Sequence, residues 1–133
     1  MSDAMQSTVV VADDELAHRK MIELALHAGD YQVRTFENGQ DVLDYLAAHY
    51  KPSLFVLDIN MPFLDGLELC TKIKQDPELA DVPVMIVSAL KDDKTKREAR
   101  EAAADLVFEK PIDRQEFLTA VSMLLRQAEK LEP

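Results

Sequence analysis

Short apolar runs rich in β-branched residues alternate with helix-period segments five times along this chain, and that alternation leaves few folds open. The strand-like runs are Thr8-Val9-Val10-Val11-Ala12, residues 31–36, Ser53-Leu54-Phe55-Val56-Leu57-Asp58, residues 82–88 and Leu106-Val107-Phe108-Glu109. The helical segments run from 16 to about 27, from the Asn38-Gly39 turn through Val42, Leu43, Leu46, Ala47 and Tyr50, and from 66 to 75 with Leu67, Cys70 and Ile73. A charged helix capped by Asp92 or Asp93 reaches about residue 104. A last one begins at Asp113 or Arg114 and aligns Phe117, Val121, Leu124, Leu125 and Ala128. On the first helix Leu16, Lys20, Glu23 and His27 fall on one side, and Ala17, Met21, Leu24, Ala25 and Ala28 on the other, with Gly29 as its stop.

Strands separated by helices of this length cannot pair as hairpins. They need crossovers, and right-handed crossovers give a parallel sheet covered by helices on both faces. The expectation is an α/β, doubly wound five-stranded parallel sheet in the order 2-1-3-4-5, flavodoxin-like, with its switch point between strands one and three. At 133 residues the chain reads as one domain, with a core from about 8 to 127 and no output domain.

Composition narrows the function classes. The net charge of -10 opposes the counterion release on which nucleic-acid affinity depends, so direct nucleic-acid binding is not expected. No apolar stretch approaches the roughly 18 residues of a membrane span, and residues 1–6 lack the features of a secretory signal. With Cys70 as the single cysteine no internal disulfide can form, which fits a reducing cytoplasm.

In open α/β sheets chemistry gathers at the C-terminal rim of the strands. The predicted topology brings Asp13 and Asp14, ending strand one, beside Asp58, ending strand three. Three unpaired carboxylates repel one another, and Mg²⁺, which favours oxygen ligands, resolves that conflict. The alternative is that Asp13-Asp14-Glu15 only caps the first helix. Ser88 ends strand four and Lys110 follows strand five, offering a hydroxyl and a point charge to a phosphoryl group. Each also has a plainer reading, as a strand-end hydroxyl and as an edge lysine. Pro111 is either a strand terminator or a cis peptide that directs Lys110.

Together these groups resemble the response-regulator receiver domains of two-component signalling, chemotaxis-regulator-like members included. The resemblance runs from about Thr8 to Gln127. It rests on Val11-Ala12-Asp13-Asp14-Glu15, Leu57-Asp58-Ile59-Asn60-Met61-Pro62 with Asp65-Gly66, Val87-Ser88-Ala89 and Glu109-Lys110-Pro111. The intervals of 44, 30 and 22 positions from Asp14 to Asp58, Ser88 and Lys110 in turn agree with it. The resemblance implies that Asp58 accepts a phosphoryl group from the phosphohistidine of a sensor kinase or phosphotransfer protein. It implies Mg²⁺ held by Asp13, Asp14, Asp58 and the backbone carbonyl of Asn60, with Ser88 and Lys110 on the phosphoryl oxygens and Ala89 leaving the approach open. Such a domain is a signalling module, not an enzyme. It promotes only its own phosphorylation and dephosphorylation, and it acts on a downstream protein or a fused output domain.

One position departs from the pattern. Receivers usually carry Tyr or Phe three residues before the lysine, and here Val107 stands there. Phe108 is one residue on, so strand alternation sends it to the opposite face. The conformational signal is therefore expected to run through Ser88, residues 89–92 and the fourth helix, without an aromatic flip.

Three rivals have specific discriminators. A phosphatase of the haloacid-dehalogenase type needs a second Asp two residues after its nucleophile, where this chain has Asn60. A flavin module needs a phosphate-binding loop after strand one, where Asp13-Asp14-Glu15 would repel phosphate. A degenerate receiver acting as a constitutive interaction domain would not need the full rim set. His18, His27 and His49 are expected neither to carry phosphate, which suits helical bundles, nor to bind metal, since none has a paired ligand spacing. The basic series Lys91, Lys94, Lys96, Arg97 and Arg100 alternates with acids and reads as a solvated face.

Overall fold

The computed structural model describes residues 7–48 and 50–131. Five strands alternate with five helices: β1 (Thr8–Ala12), α1 (Leu16–Ala28), β2 (Gln32–Phe36), α2 (Gly39–Ala47), β3 (Leu54–Asp58), α3 (Gly66–Gln75), β4 (Val84–Ser88), α4 (Asp93–Glu101), β5 (Leu106–Glu109) and α5 (Arg114–Leu131). The strands form one sheet in the order β2-β1-β3-β4-β5, every pair parallel. The expected architecture and strand order are both present.

The sheet divides the core in two, with the period of 2 that a pleated strand imposes. Val10, Ala12, Phe55, Leu57, Val84 and Ile86 face one side, where Val42 of α2 and Leu69, Cys70 and Ile73 of α3 cover them. Val9, Val11, Leu54, Val56, Met85 and Val87 face the other, under Ile22 and Leu26 of α1 and Phe117, Val121 and Leu124 of α5. Side chains such as Phe55, Leu57 and Phe117 are wholly buried. Each contributes about 1.5–3 kcal/mol of transfer free energy, which is why β1, β3 and β4 read as unbroken apolar runs.

Val107 packs on the α2–α3 side and Phe108 on the α1–α5 side, where its ring meets Phe117 edge-on at 5.7 Å. The aromatic is a core residue, as alternation requires.

Helix ends follow local chemistry. Asn38 caps α2 by accepting from the Asp41 amide at 2.8 Å. Asp65 and Glu68 form a reciprocal capping box on α3. Asp92, not Asp93, caps α4, which ends at Glu101 instead of near 104; the chain turns there, with Ala103 at φ 64°. After α1 the left-handed residue is Asp30, at φ 68°, while Gly29 keeps φ -92°.

α1 also differs from the expected sidedness. Ile22, Ala25 and Leu26 are buried, whereas Leu16, Met21 and Leu24 are exposed. The i, i+3, i+4 stripe centred on Ile22 faces the sheet, and Met21 and Leu24 lie off it.

Candidate functional site

Parallel pairing brings four strand ends to one rim. The Asp13 amide still donates to the carbonyl of Phe36 at 3.1 Å, so the acid directly after β1 is held as firmly as the strand. Asp58 pairs with Val87, Ser88 pairs with Glu109, and the Lys110 amide donates to the Ser88 carbonyl at 2.8 Å. The Lys110–Pro111 peptide is cis.

Gly66 makes the rim possible from the helix side. A Cβ at that position would stand 2.2 Å from the Asp58 carbonyl oxygen and 2.9 Å from its carbon. The first residue of α3 thus lies flat against the backbone of Asp58, and only glycine allows that approach.

Within this frame the side chains converge. Lys110 Nζ is 2.8 Å from Asp58 Oδ1 and 3.5 Å from Asp13 Oδ2. Asp13, Asp14 and Asp58 each offer one carboxylate oxygen, all within 4.8 Å of one another. Asp13 is wholly buried, Asp58 is 6% exposed and Asp14 lies open to solvent. Asp13 Oδ1 accepts from the Glu15 amide at 2.9 Å, and its carbonyl accepts from Arg19 Nη1 at 2.7 Å. Ser88 is buried, and its Oγ accepts from the Leu90 amide at 3.1 Å, which leaves the hydroxyl proton to donate. Asn60 follows β3 at the surface.

Three carboxylates face one ammonium, and the titration behaviour follows from that excess. Burial raises the Asp58 pKa above the ordinary carboxylate value. The Lys110 hydrogen bond opposes this, while the charges of Asp13 and Asp14 add to it. Burial alone would lower Lys110, but the hydrogen bond and charge of Asp58, with Asp13 beyond, hold its pKa above the usual lysine value.

The donor set fits a hard divalent cation. Asp13 Oδ2 is, among the described residues, the one buried side-chain oxygen without a hydrogen-bond partner, and Lys110 Nζ approaches it only to 3.5 Å. A buried, unsatisfied anionic oxygen is costly, and it belongs to the one acidic group among the described residues that is close enough to share an ion.

Of the side chains singled out in the sequence for this rim, Asp13, Asp14, Asp58 and Lys110 converge here, and Ser88 ends the adjoining strand β4. Two further residues had no expected role here, one beside Lys110 and one in the loop after β3. His18 Nδ1 lies 3.0 Å from Lys110 Nζ and 3.0 Å from Glu15 Oε2. A signal was available in its neighbour, since His18 stands three positions after Glu15, the residue that caps α1. Phe63, 91% exposed at φ 70°, stands in the β3–α3 loop, and nothing in its sequence context announces that conformation. His27 lies on an exposed stretch of α1, and His49 falls outside the described residues. Among the described residues no helix is long and apolar enough to cross a membrane.

Comparison with known proteins gives the same answer from outside. Residues 9–122 match the sequence model of the response regulator receiver domain. The chain is 34% identical over 119 residues to the response regulator ArlR of Staphylococcus aureus (strain Mu50), covering 90% of this chain and 52% of that protein. It thus spans about half the length of the curated relatives it matches. Its structure superposes with TM-score 0.86 on the receiver domain of a signal transduction histidine kinase from Syntrophus aciditrophicus, at 25% identity and 95% coverage of both chains. The chemotaxis protein CheY4 of Vibrio cholerae shares the fold, with TM-score 0.83 at 21% identity over 89% of this chain and 98% of that one. The sheet order, the acidic rim and the sequence match agree: this chain belongs to the response regulator receiver domains of two-component signalling.

Proposed function

We propose that Asp58 is the phosphoacceptor of this receiver and that Asp13, Asp14, Ser88 and Lys110 form its phosphoryl-transfer site. The observation that carries the reading is the position of Lys110 Nζ, 2.8 Å from Asp58 Oδ1 and beside the unsatisfied Asp13 Oδ2. An Asp58 oxygen attacks phosphorus as the P–N bond of a ring-protonated phosphohistidine breaks. The bonding pair passes to the imidazole nitrogen, which leaves neutral. Phosphoryl transfer asks a protein mainly for alignment and charge neutralisation. Lys110 is placed to trade its bond with Asp58 for one with a phosphoryl oxygen, and the Ser88 hydroxyl proton supplies a second donor.

Asp13, Asp14, Asp58 and the Asn60 carbonyl are the ligands we assign to Mg²⁺, which would supply positive charge to offset the carboxylates and the incoming phosphoryl group. The donor is a histidine kinase or a phosphotransfer protein, and the output is a downstream protein or a fused domain, read in the cytoplasm. The domain turns over no separate substrate.

Incubation with acetyl phosphate and Mg²⁺ tests the assignment by intact-protein mass. One added phosphoryl group is expected, absent from Asp58→Asn and reduced in Lys110→Met. Equal labelling of Asp58→Asn would place the acceptor elsewhere.

A further inference from the structure

His18 is a polar neighbour of the phosphoryl-site lysine to which neither sequence nor family assigns a task. Lys110 is largely enclosed, its side chain 13% exposed, and its ammonium has three protons and no lone pair. One proton points to Asp58 Oδ1 at 2.8 Å, and the Asp13 Oδ2 direction at 3.5 Å is looser. The remaining close contact, at 3.0 Å, is with His18 Nδ1. Since an ammonium can only donate, that nitrogen must carry its lone pair. The same nitrogen is also 3.0 Å from Glu15 Oε2, a carboxylate that can only accept.

A single ring nitrogen cannot serve both. As a lone pair it holds Lys110, and as an N–H it bonds Glu15 and lets the lysine go. Met21, Pro111 and Ile112, none of them titratable, line a small pocket with Lys110 and the ring. Among the described residues, the charged groups in contact with His18 are Glu15, at the cap of its helix, and Lys110 from the β5–α5 turn, with Asp58 and Asp13 beyond the ammonium.

We propose that His18 is a positioning residue for Lys110, fixing the ammonium through an unprotonated Nδ1, and that protonation hands Nδ1 to Glu15 and loosens the lysine. This rests on the phosphoryl-site reading above. Histidine is the side chain that changes charge between about pH 5 and 8, so the competition between the two partners of Nδ1 can be probed by pH.

The test uses the intact chain with beryllofluoride and Mg²⁺ as the probe, its binding followed by fluorine NMR at about pH 8 and about pH 6. His18→Leu is expected to bind roughly tenfold more weakly than wild type at the higher pH, the loss of one charge-assisted hydrogen bond. His18→Asn, whose amide oxygen stands where Nδ1 stands and does not titrate, should keep the affinity and lose the histidine part of the pH dependence. Nitrogen NMR of the wild-type imidazole needs no variant and should show Nε2–H with bare Nδ1 at the higher pH.

Wild-type-like binding by His18→Leu at both pH values, or an Nδ1–H tautomer, would overturn the role of His18 alone. Failure of wild type to bind beryllofluoride, or binding by Asp58→Asn as tight as wild type, would overturn the phosphoryl site and the inference with it.

Discussion

Replacing Gly66 by alanine tests whether the close backbone approach, and not the helix alone, holds the acceptor strand in place. The new Cβ would meet only backbone: the Asp58 carbonyl oxygen at 2.2 Å, its carbon at 2.9 Å and Ile59 Cα at 3.1 Å. Backbone in the middle strand of a sheet cannot turn aside as a side chain can. The helix must therefore retreat by about 1 Å, and overpacking of that kind costs roughly 1–3 kcal/mol, at the upper end where nothing can give. Alanine returns at most about 1 kcal/mol through a less flexible unfolded chain. The net expectation is a loss of about 2 kcal/mol, a fall in Tm of roughly 5–10 °C for a domain of this size.

Gly29→Ala provides the internal scale. Its Cβ would meet Leu118 Cδ2 and Tyr31 Cε2, each at 3.0 Å, and both are far ends of side chains that can move. Thermal and urea melts of the two variants should separate clearly, with Gly66→Ala the weaker protein. Its beryllofluoride affinity should also fall, because the displaced peptide carries Asp58. Equal stability of the two variants would refute the argument, since both helices would then have adjusted at the same cost.

Other consequences follow from the same geometry. Lys74 Nζ donates to the carbonyls of Ala80 and Val82 and to Asp105 Oδ2, which also accepts from the Val84 amide. Lys74→Met should therefore cost about 2 kcal/mol in urea unfolding, because it strands acceptors at the start of β4. Without Mg²⁺, the raised Asp58 pKa means the folded state holds its proton more tightly than the unfolded chain does. Stability should then fall as pH rises from the ordinary carboxylate range through the raised value, a slope that Asp58→Asn removes and saturating Mg²⁺ suppresses, read from urea midpoints across pH. Val107→Ala should leave both labelling by acetyl phosphate and the phosphorylation-induced shifts of residues 89–92 in place. Labelling without those shifts would show that Val107 relays the signal.

How much of this was legible beforehand depends on whether a feature is local. Strand ends, capping residues and the sheet order followed from periodicity and crossover rules, so Asp13, Asp14, Asp58, Ser88 and Lys110 could be brought to one rim on paper. The face taken by α1 was less visible. Its apolar residues surround much of the helix, and only packing on the sheet decides that Ile22 is buried while Leu24 is exposed. Lys110 and His18 are 92 positions apart, and no local pattern encodes their contact. Gly66 could be recognised as part of a motif, but its reason, a carbonyl within reach of an absent methyl, is a property of the folded backbone.

The order of strands across the sheet also sets the order in which the rim can come apart. Asp58 ends a strand paired on both sides and buried along its length, whereas Lys110 follows β5, a four-residue edge strand with one neighbour. Local opening releases the least protected segments first. Amide exchange should therefore run faster at β5 than at β3, and a partial opening that frees the counter-charge leaves the acceptor in place. The receiver can lose its lysine, briefly and reversibly, without ever unfolding its aspartate.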